Sequence, residues 1–397
     1  MFKDPSLMHV SWNYPTNIQY GPGSIKNLPA LCASLEINKA LIVTDEGLKD
    51  FDFIKGIQNS LKNSGLFSDV KANPNGKNVD AGVKAYREGK YHGIVCIGGG
   101  SALDAGKAIA LMVGQDRPLW DFEDVGDNHL RVNTELMAPL IAIPTTAGTG
   151  SEVGRASVIV DDETHVNQHS KKIIFHANML PEHVILDPQL TAGLPPHITA
   201  ATGIDAFVHA FEAYCAPGYH PMAEGIALKA MAMVKENLPQ AFDDGQNMNA
   251  RGNMLVASCM GATAFQKGLG GVHALAHPLG AIFDKHHGLL NAILLPFVVK
   301  ANRSAIEQKL PELNAILDIA NRDSKHHFDA FFTWLMAFRS RLGIPNTLAD
   351  IGIQLDSEGA DKVGELAILD AASGGNPITF DGAQYQTIFE NAVSGKL

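Results

Sequence analysis

The stretch GIDAFVHAFEAY, from Gly203 to Tyr214, carries three chemically active side chains in apolar surroundings. Asp205, His209 and Glu212 stand at i, i+4 and i+7, so a helix here projects them from one face. Ile204, Phe207, Val208 and Phe211 cover the other side, as a packed helix requires. A polar stripe on a buried helix is costly unless something satisfies it, and a bound cation would. A second apolar segment, GGVHALAHPLGAIFDKHHG from Gly270 to Gly288, adds His273, His277, His286 and His287. A lone histidine is usually a satisfied core or surface residue, but here several fall in one apolar segment. Three imidazoles and one carboxylate would form a borderline nitrogen and oxygen site for a divalent metal such as iron or zinc. Spacing alone does not choose which histidine stays out.

A different chemistry belongs to CIGGGSALDAGKAIA, where Gly98, Gly99 and Gly100 separate a strand from a helix. Glycine permits tight turns and close approach of backbone N–H groups to a ligand. The helix that follows aims its positive end at the loop, which favours phosphate. PTTAGTGSE, from Pro144 to Glu152, ends the next strand with hydroxyls and glycines suited to a diphosphate or a ribose. Asp45, ending the strand in IVTDEG, would accept hydrogen bonds from an adenosine ribose and repel a 2′-phosphate; capping its own turn is the other reading. Together these loops describe a dinucleotide site at strand ends, where open α/β sheets bind ligands.

The elements that must hold these groups fall into two kinds. Short apolar runs alternate with helical ones through the first half. KALIVTDEGL reads as a strand, and FIKGIQNSLKNSG as a helix stopping at Gly65. FSDVKANPN reads as strand and loop, VDAGVKAYREG as helix, GIVCIGGGS as strand, ALDAGKAIALMV as helix and LIAIPTTAGTGSE as strand and loop. Such alternation implies a parallel sheet covered on both faces. After Pro195 the periodicity is helical throughout, with Pro195 and Pro196 opening the first helix. The expected architecture is an α/β dinucleotide-binding domain over 1–195 and an all-α domain over 196–397.

The chain of 397 residues is 46% hydrophobic and 18% charged, which suits a large packed core. Its net charge of -11 and lack of a basic stripe argue against nucleic acid and anionic membranes as partners. MFKDPSLMHVSWNYP lacks the apolar core of a signal peptide, and no apolar run suggests a membrane span. Cys32, Cys96, Cys215 and Cys259 are scattered without CxxC spacing, which fits a reducing, cytoplasmic setting and argues against a thiolate metal site.

These motifs in combination resemble the iron-containing, or group III, alcohol dehydrogenases. The resemblance runs from WNYPTNIQYGPGSI through GGGSALDAGKAIA, PTTAGTGSE, GIDAFVHAFEAY and HALAHPLG to GGNP near the C-terminus. It implies a two-domain fold with the active site between the domains. It implies Asp205, His209, His273 and His287 as metal ligands, with Fe2+ expected and Zn2+ as the alternative. His277 would lie beside the substrate and relay a proton. Gly98, Gly99, Gly100, Ser101 and Asp104 match the family's diphosphate motif, and Thr145, Thr146 and Thr149 its nicotinamide-side loop. Lys171 matches a lysine near the cofactor, and Asp45 the acidic position associated with NAD over NADP. Asn73 lies in ANPN, which departs from the family's Pro-Asn-Pro. His286 and Glu212 match no ligand. A homodimer or larger homo-oligomer is a family expectation.

The implied reaction is reversible hydride transfer between a small primary alcohol and NAD+. Neither Thr199–Cys215 nor Gly268–Asp284 contains Lys or Arg, which favours a small neutral substrate. Lys267 would anchor an anionic tail, as in an ω-hydroxycarboxylate, or else be a solvated lysine. A dehydroquinate synthase-like lyase and a non-catalytic sensor of NAD or metal are the rival readings.

Overall fold

The computed structural model describes residues 14, 16–161, 170–319, 326–354 and 357–397. The N-terminal segment considered above as a leader lies almost wholly outside them. Eight strands occur among the described residues: β1 Asn17–Tyr20, β2 Ala40–Val43, β3 Gly65–Phe67, β4 Gly93–Gly98, β5 Leu140–Pro144, β6 Ala156–Asp161, β7 Ser170–Phe175 and β8 His183–Leu186. Six form one parallel sheet in the order β1-β8-β5-β4-β2-β3.

The central strands β2, β4 and β5 are buried along their whole length, which explains their unbroken apolar sequences. Alternate residues serve opposite faces. Leu41, Val43, Ile94 and Cys96 pack under helices α3 (Gly76–Gly89) and α4 (Gly100–Met112). Ile42, Val95 and Ile97 pack under α1 (Leu28–Ser34) and α2 (Asp52–Ser60). The register sets Gly98 opposite Pro144 and Val43 opposite Cys96. The loops after β2, β4 and β5 therefore open side by side at the carboxyl edge of the sheet.

Two local expectations need correction. The helix after β2 ends at Ser60 rather than at Gly65, and Asn63, at φ 59°, turns the chain out of it. Gly65 instead opens β3, which stops at Phe67 where a strand had been expected to begin. Gly65 is needed there because a β-carbon would fall 1.7 Å from the Tyr91 hydroxyl. The sequence also concealed an antiparallel pair, β6 with β7, lying apart from the parallel sheet.

Beyond β8 the described residues form only helices: α5 Pro196–Cys215, α6 Pro221–Asp243, α7 Met248–Ala264, α8 Gly271–Phe283, α9 His287–Ala301, α10 Arg303–Ile306, α11 Leu310–Ile316, α12 His327–Arg341, α13 Ser357–Leu369 and α14 Gly382–Ser394, with short 3-10 turns between them. No single helix among the described residues is long and apolar enough to cross a membrane. Helix α5 is the axis of this half, buried from Thr199 to Cys215 and packed by α6, α7 and α9. Glycines let those neighbours approach. A β-carbon on Gly203 would meet Leu238 of α6 at 2.2 Å, and one on Gly288 of α9 would meet the Ala201 carbonyl at 2.7 Å.

The close approach at Gly203 generates a test. Gly203→Val forces a branched side chain into packed space and is expected to destabilise the protein by about 1–3 kcal/mol. A lowered denaturant midpoint would register this; an unchanged midpoint would mean that the α5–α6 contact is looser than described.

Candidate functional site

Helix α5 presents Asp205 and His209 one turn apart, α8 presents His273, and α9 begins with His287. One ligand atom from each of these four residues lies within 4.8 Å of every other. The Nε2 atoms of His209, His273 and His287 stand 4.0, 3.9 and 3.7 Å from the same Asp205 Oδ1. These separations exceed hydrogen bonds. They suit donors that share one cation, and the set of one carboxylate oxygen and three imidazole nitrogens fits a divalent transition metal.

The opposite edges of two imidazoles are anchored. His273 Nδ1 lies 2.6 Å from Glu212 Oε2, and His209 Nδ1 lies 3.2 Å from the Gly148 carbonyl. Both partners are acceptors, so the proton sits on Nδ1 and the Nε2 lone pair faces inward. Glu212 also accepts the backbone N–H groups of Gly270 and Val272 at 2.9 and 2.7 Å, pinning the start of α8 to α5. The i+7 member of the stripe thus stands outside the four candidate ligands and orients one of them, His273.

Burial pushes the His209 imidazole down to about 4, with the neighbouring His273 adding to the effect. Burial also holds His287 well below the ordinary value, assisted by Lys171 and the other imidazoles. Both are therefore neutral, as ligands must be. Burial pulls His273 the same way, but the carboxylates of Glu212, Asp205 and Asp370 together outweigh it and the net shift is upward.

Asn291 was not anticipated. It stands one turn after His287 on α9, fully buried, with Nδ2 2.6 Å from Asp205 Oδ1 and 3.1 Å from Nε2 of both His273 and His287. Only the i+4 spacing in HGLLN could have flagged it. The Phe265 ring, 5.3 Å from that of His209, supplies an apolar wall.

His277 is buried beside the four and stacks on His287 at 5.3 Å between ring centroids. Its Nδ1 pairs with Asp370 Oδ2 at 2.8 Å, a partner that sequence spacing could not reveal. His286 caps α9, accepting the Leu289 N–H at 3.3 Å. Lys267 is neither solvated nor aimed at the site. Its side chain is 2% exposed, 2.7 Å from Glu224 Oε1, and donates to the Tyr214 carbonyl near the end of α5.

The glycine loop meets the other half directly. No side chain caps α4, so the amides of its first turn, from Gly100 and Ser101 onward, lie open at the carboxyl edge of the sheet. Gly98, at φ 151°, is confined by Ala102 and by Asp45 Oδ2, which would lie 2.7 and 3.2 Å from a β-carbon. Asp45 Oδ1 meanwhile accepts the Leu48 N–H at 3.1 Å, so it caps its turn with one oxygen and turns the other toward the loop. Burial raises its pKa above the usual carboxylate range.

Thr145 donates its N–H to the Gly98 carbonyl at 2.8 Å. Thr146 lies against Gly99, and Thr149 Oγ1 would stand 2.6 Å from a β-carbon on Gly100. Asp104 is turned inward. Its oxygens take the Ser151 hydroxyl at 2.5 Å, the Val158 N–H at 3.0 Å and the Lys107 ammonium at 3.2 Å. Asn73 crosses to the helical half, donating to Asp284 Oδ1 at 2.7 Å at the end of α8. Lys171, on β7, holds its ammonium over Gly280 of α8. Burial lowers its pKa to about 8 against the pull of Asp104, Asp370, Asp205 and Asp284. Asp45, the glycines, Ser101 and the three threonines thus frame one loop cluster. Asp104 lies behind it, and Asn73 and Lys171 reach from the α/β half to α8.

Comparison with known proteins places the chain among relatives of the same fold. A 4-hydroxybutyrate dehydrogenase of Cupriavidus necator is 35% identical over 96% of this chain and 99% of its own. The crystal structure of a 1,3-propanediol oxidoreductase superposes with a TM-score of 0.89 at 32% identity, covering 96% of this chain and all 100% of that one. The structure of a sulfoacetaldehyde reductase from Bifidobacterium kashiwanohense in complex with NAD+ superposes with a TM-score of 0.86 at 26% identity, covering 98% and 99%. Residues 15–188 match the family described as iron-containing alcohol dehydrogenase, and residues 199–393 match the C-terminal part of the Fe-containing alcohol dehydrogenase family. With both halves matched and the fold shared, the chain belongs to the iron-containing alcohol dehydrogenase family.

Proposed function

We propose that this protein is a metal-dependent alcohol dehydrogenase and aldehyde reductase that moves hydride reversibly between a small primary alcohol and NAD+. The observation that carries the proposal is the convergence of four ligand atoms from α5, α8 and α9 on a helix that the glycine-loop cluster touches through Gly148. In this reading 1–195 is the cofactor domain, 196–397 the metal-binding domain, and the reaction takes place between them. Asp205, His209, His273 and His287 would hold the cation, Fe2+ by family and Zn2+ as the alternative. The chemistry supplied by the bound groups is Lewis acidity at the substrate oxygen and hydride acceptance by the nicotinamide.

The remaining work falls to this chain's own residues. The Gly98–Ser101 amides receive the diphosphate, and Thr145, Thr146 and Thr149 line the nicotinamide side. Asp45 accepts the ribose hydroxyls and disfavours a 2′-phosphate, so NAD is preferred over NADP. Asp104 holds the Ser151 loop in place behind the diphosphate site. Asn73 ties its loop to α8 beside the cofactor. His277 passes a proton between substrate and solvent at Nε2. The absence of Lys and Arg from α5 and α8 favours a small neutral substrate. An ω-hydroxy acid is the second reading, favoured by Lys171, whose ammonium lies over Gly280 of α8, while Lys267 is engaged by Glu224. A cytoplasmic location is supported by four buried free thiols, with Cys96 raised by burial to about 12. A homo-oligomer acting on small molecules completes the reading.

The direct test is aldehyde-dependent loss of NADH absorbance after loading with Fe2+ or Zn2+, with NADPH and a panel of alcohols and ω-hydroxy acids alongside. Absence of turnover with either metal across the panel would leave the lyase or sensor reading in its place. His209→Ala is expected to lose metal retention and turnover together; full activity without bound metal would end the proposal. Glu212→Gln is expected to weaken metal binding by about 10–100-fold, because Nδ1 of His273 loses its charged acceptor. Competition with a chelator measures this, and an unchanged affinity would remove Glu212 from the metal centre.

A further inference from the structure

We infer that Asp370 is the positioning residue that sets the tautomer and orientation of His277; the inference rests on the proposed role of His277 as proton carrier. Asp370 follows α13 and caps the turn over Ala371–Gly375, accepting the Ala372 N–H on Oδ1 at 2.9 Å. Its other oxygen, Oδ2, lies 2.8 Å from His277 Nδ1, and both side chains are only 10% exposed. A carboxylate can only accept, so the neutral imidazole of His277 carries its proton on Nδ1 and keeps the lone pair on Nε2. Nε2 has no hydrogen-bond partner among the described residues. A single carboxylate thus fixes the C-terminal turn with one oxygen and aims an imidazole with the other. Stacking against His287 and edge contact with His273 restrict the ring's plane but leave its tautomer open. Asp370 settles that remaining choice.

Asp370→Asn separates the two duties. The Asn carbonyl retains the cap on the Ala372 N–H, which turns the amide NH2 toward His277 Nδ1. The imidazole must then accept at Nδ1 and carry its proton on Nε2. In 15N-histidine-labelled, metal-free protein, NMR is expected to show His277 as Nδ1–H in the wild type and Nε2–H in D370N. In the metal-loaded enzyme, kcat is expected to fall by about 10²–10⁴-fold. NADH affinity, read by fluorescence, and metal affinity, read by chelator competition, should stay at wild-type values. The double variant D370N/H277A should be no slower than H277A, because the carboxylate acts only through the ring. An unchanged tautomer in D370N, or additive losses in the double variant, would overturn the inference. If D370N proves too unstable to purify, an Nε2–H tautomer in the wild type does the same. A wild type lacking dehydrogenase activity would sink the proposed reaction, while the NMR comparison would still decide the role of Asp370.

Discussion

The structure is organised around the cost of burying a carboxylate and two imidazoles, with a third half-buried beside them, in an apolar helical bundle. Asp205 is 2% exposed and His273 only 1%, inside a core of Ala, Leu, Ile and Phe. Each such polar group left unsatisfied costs about 1–3 kcal/mol, more for an ionised one. A layer of acceptors and donors answers that cost for three of the four: Glu212 on His273, the Gly148 carbonyl on His209, and the Asn291 amide on Asp205, while His287 Nδ1 has no hydrogen-bond partner among the described residues. Through Nδ1, Glu212 and the Gly148 carbonyl also turn the Nε2 lone pairs of His273 and His209 toward Asp205. What keeps the buried groups tolerable is also what would let them hold a cation.

From this centre the two halves are drawn together. Gly148 belongs to the loop that packs on the glycine turn at α4, yet its carbonyl orients a group on α5. That loop can approach because Gly148 and Gly150 present no side chain to Thr202 on α5 and Ala262 on α7. Asn73 and Lys171 make the same crossing farther out, both toward α8. The glycine and threonine loops and the helices that carry the four candidate ligands are therefore in contact, and a shift at one is felt at the other because packed interiors do not deform continuously.

Much of the fold was legible in the residues. The unbroken apolar runs of β2, β4 and β5 announced buried parallel strands, and the change to helical periodicity after Pro195 coincided with the start of α5. Short elements were harder. β3 is three residues long and begins at a glycine chosen for the space beside Tyr91, a reason invisible along the chain. The β6–β7 pair is antiparallel and lies apart from the parallel sheet, so strand–helix alternation did not announce it. In the site, the ligand candidates were visible because i, i+4 spacing on a helix is local. Asn291 was reachable by the same rule and was missed because an amide carries no strong chemical signal.

The sequence by itself determined the chemical inventory: an Asp-x3-His helix, a histidine-rich apolar segment, and glycine loops at strand ends. It could do so because helices and strands place neighbours by fixed periods, so type and spacing suffice. Tertiary structure decided which members of that inventory meet. It chose His287 over His286, turned Asp104 inward, tied Lys267 to Glu224 and brought Asp370 to His277 across 93 residues of chain. Contacts at such separations depend on how helices pack, and packing angles and close approaches are set by shape complementarity over many side chains.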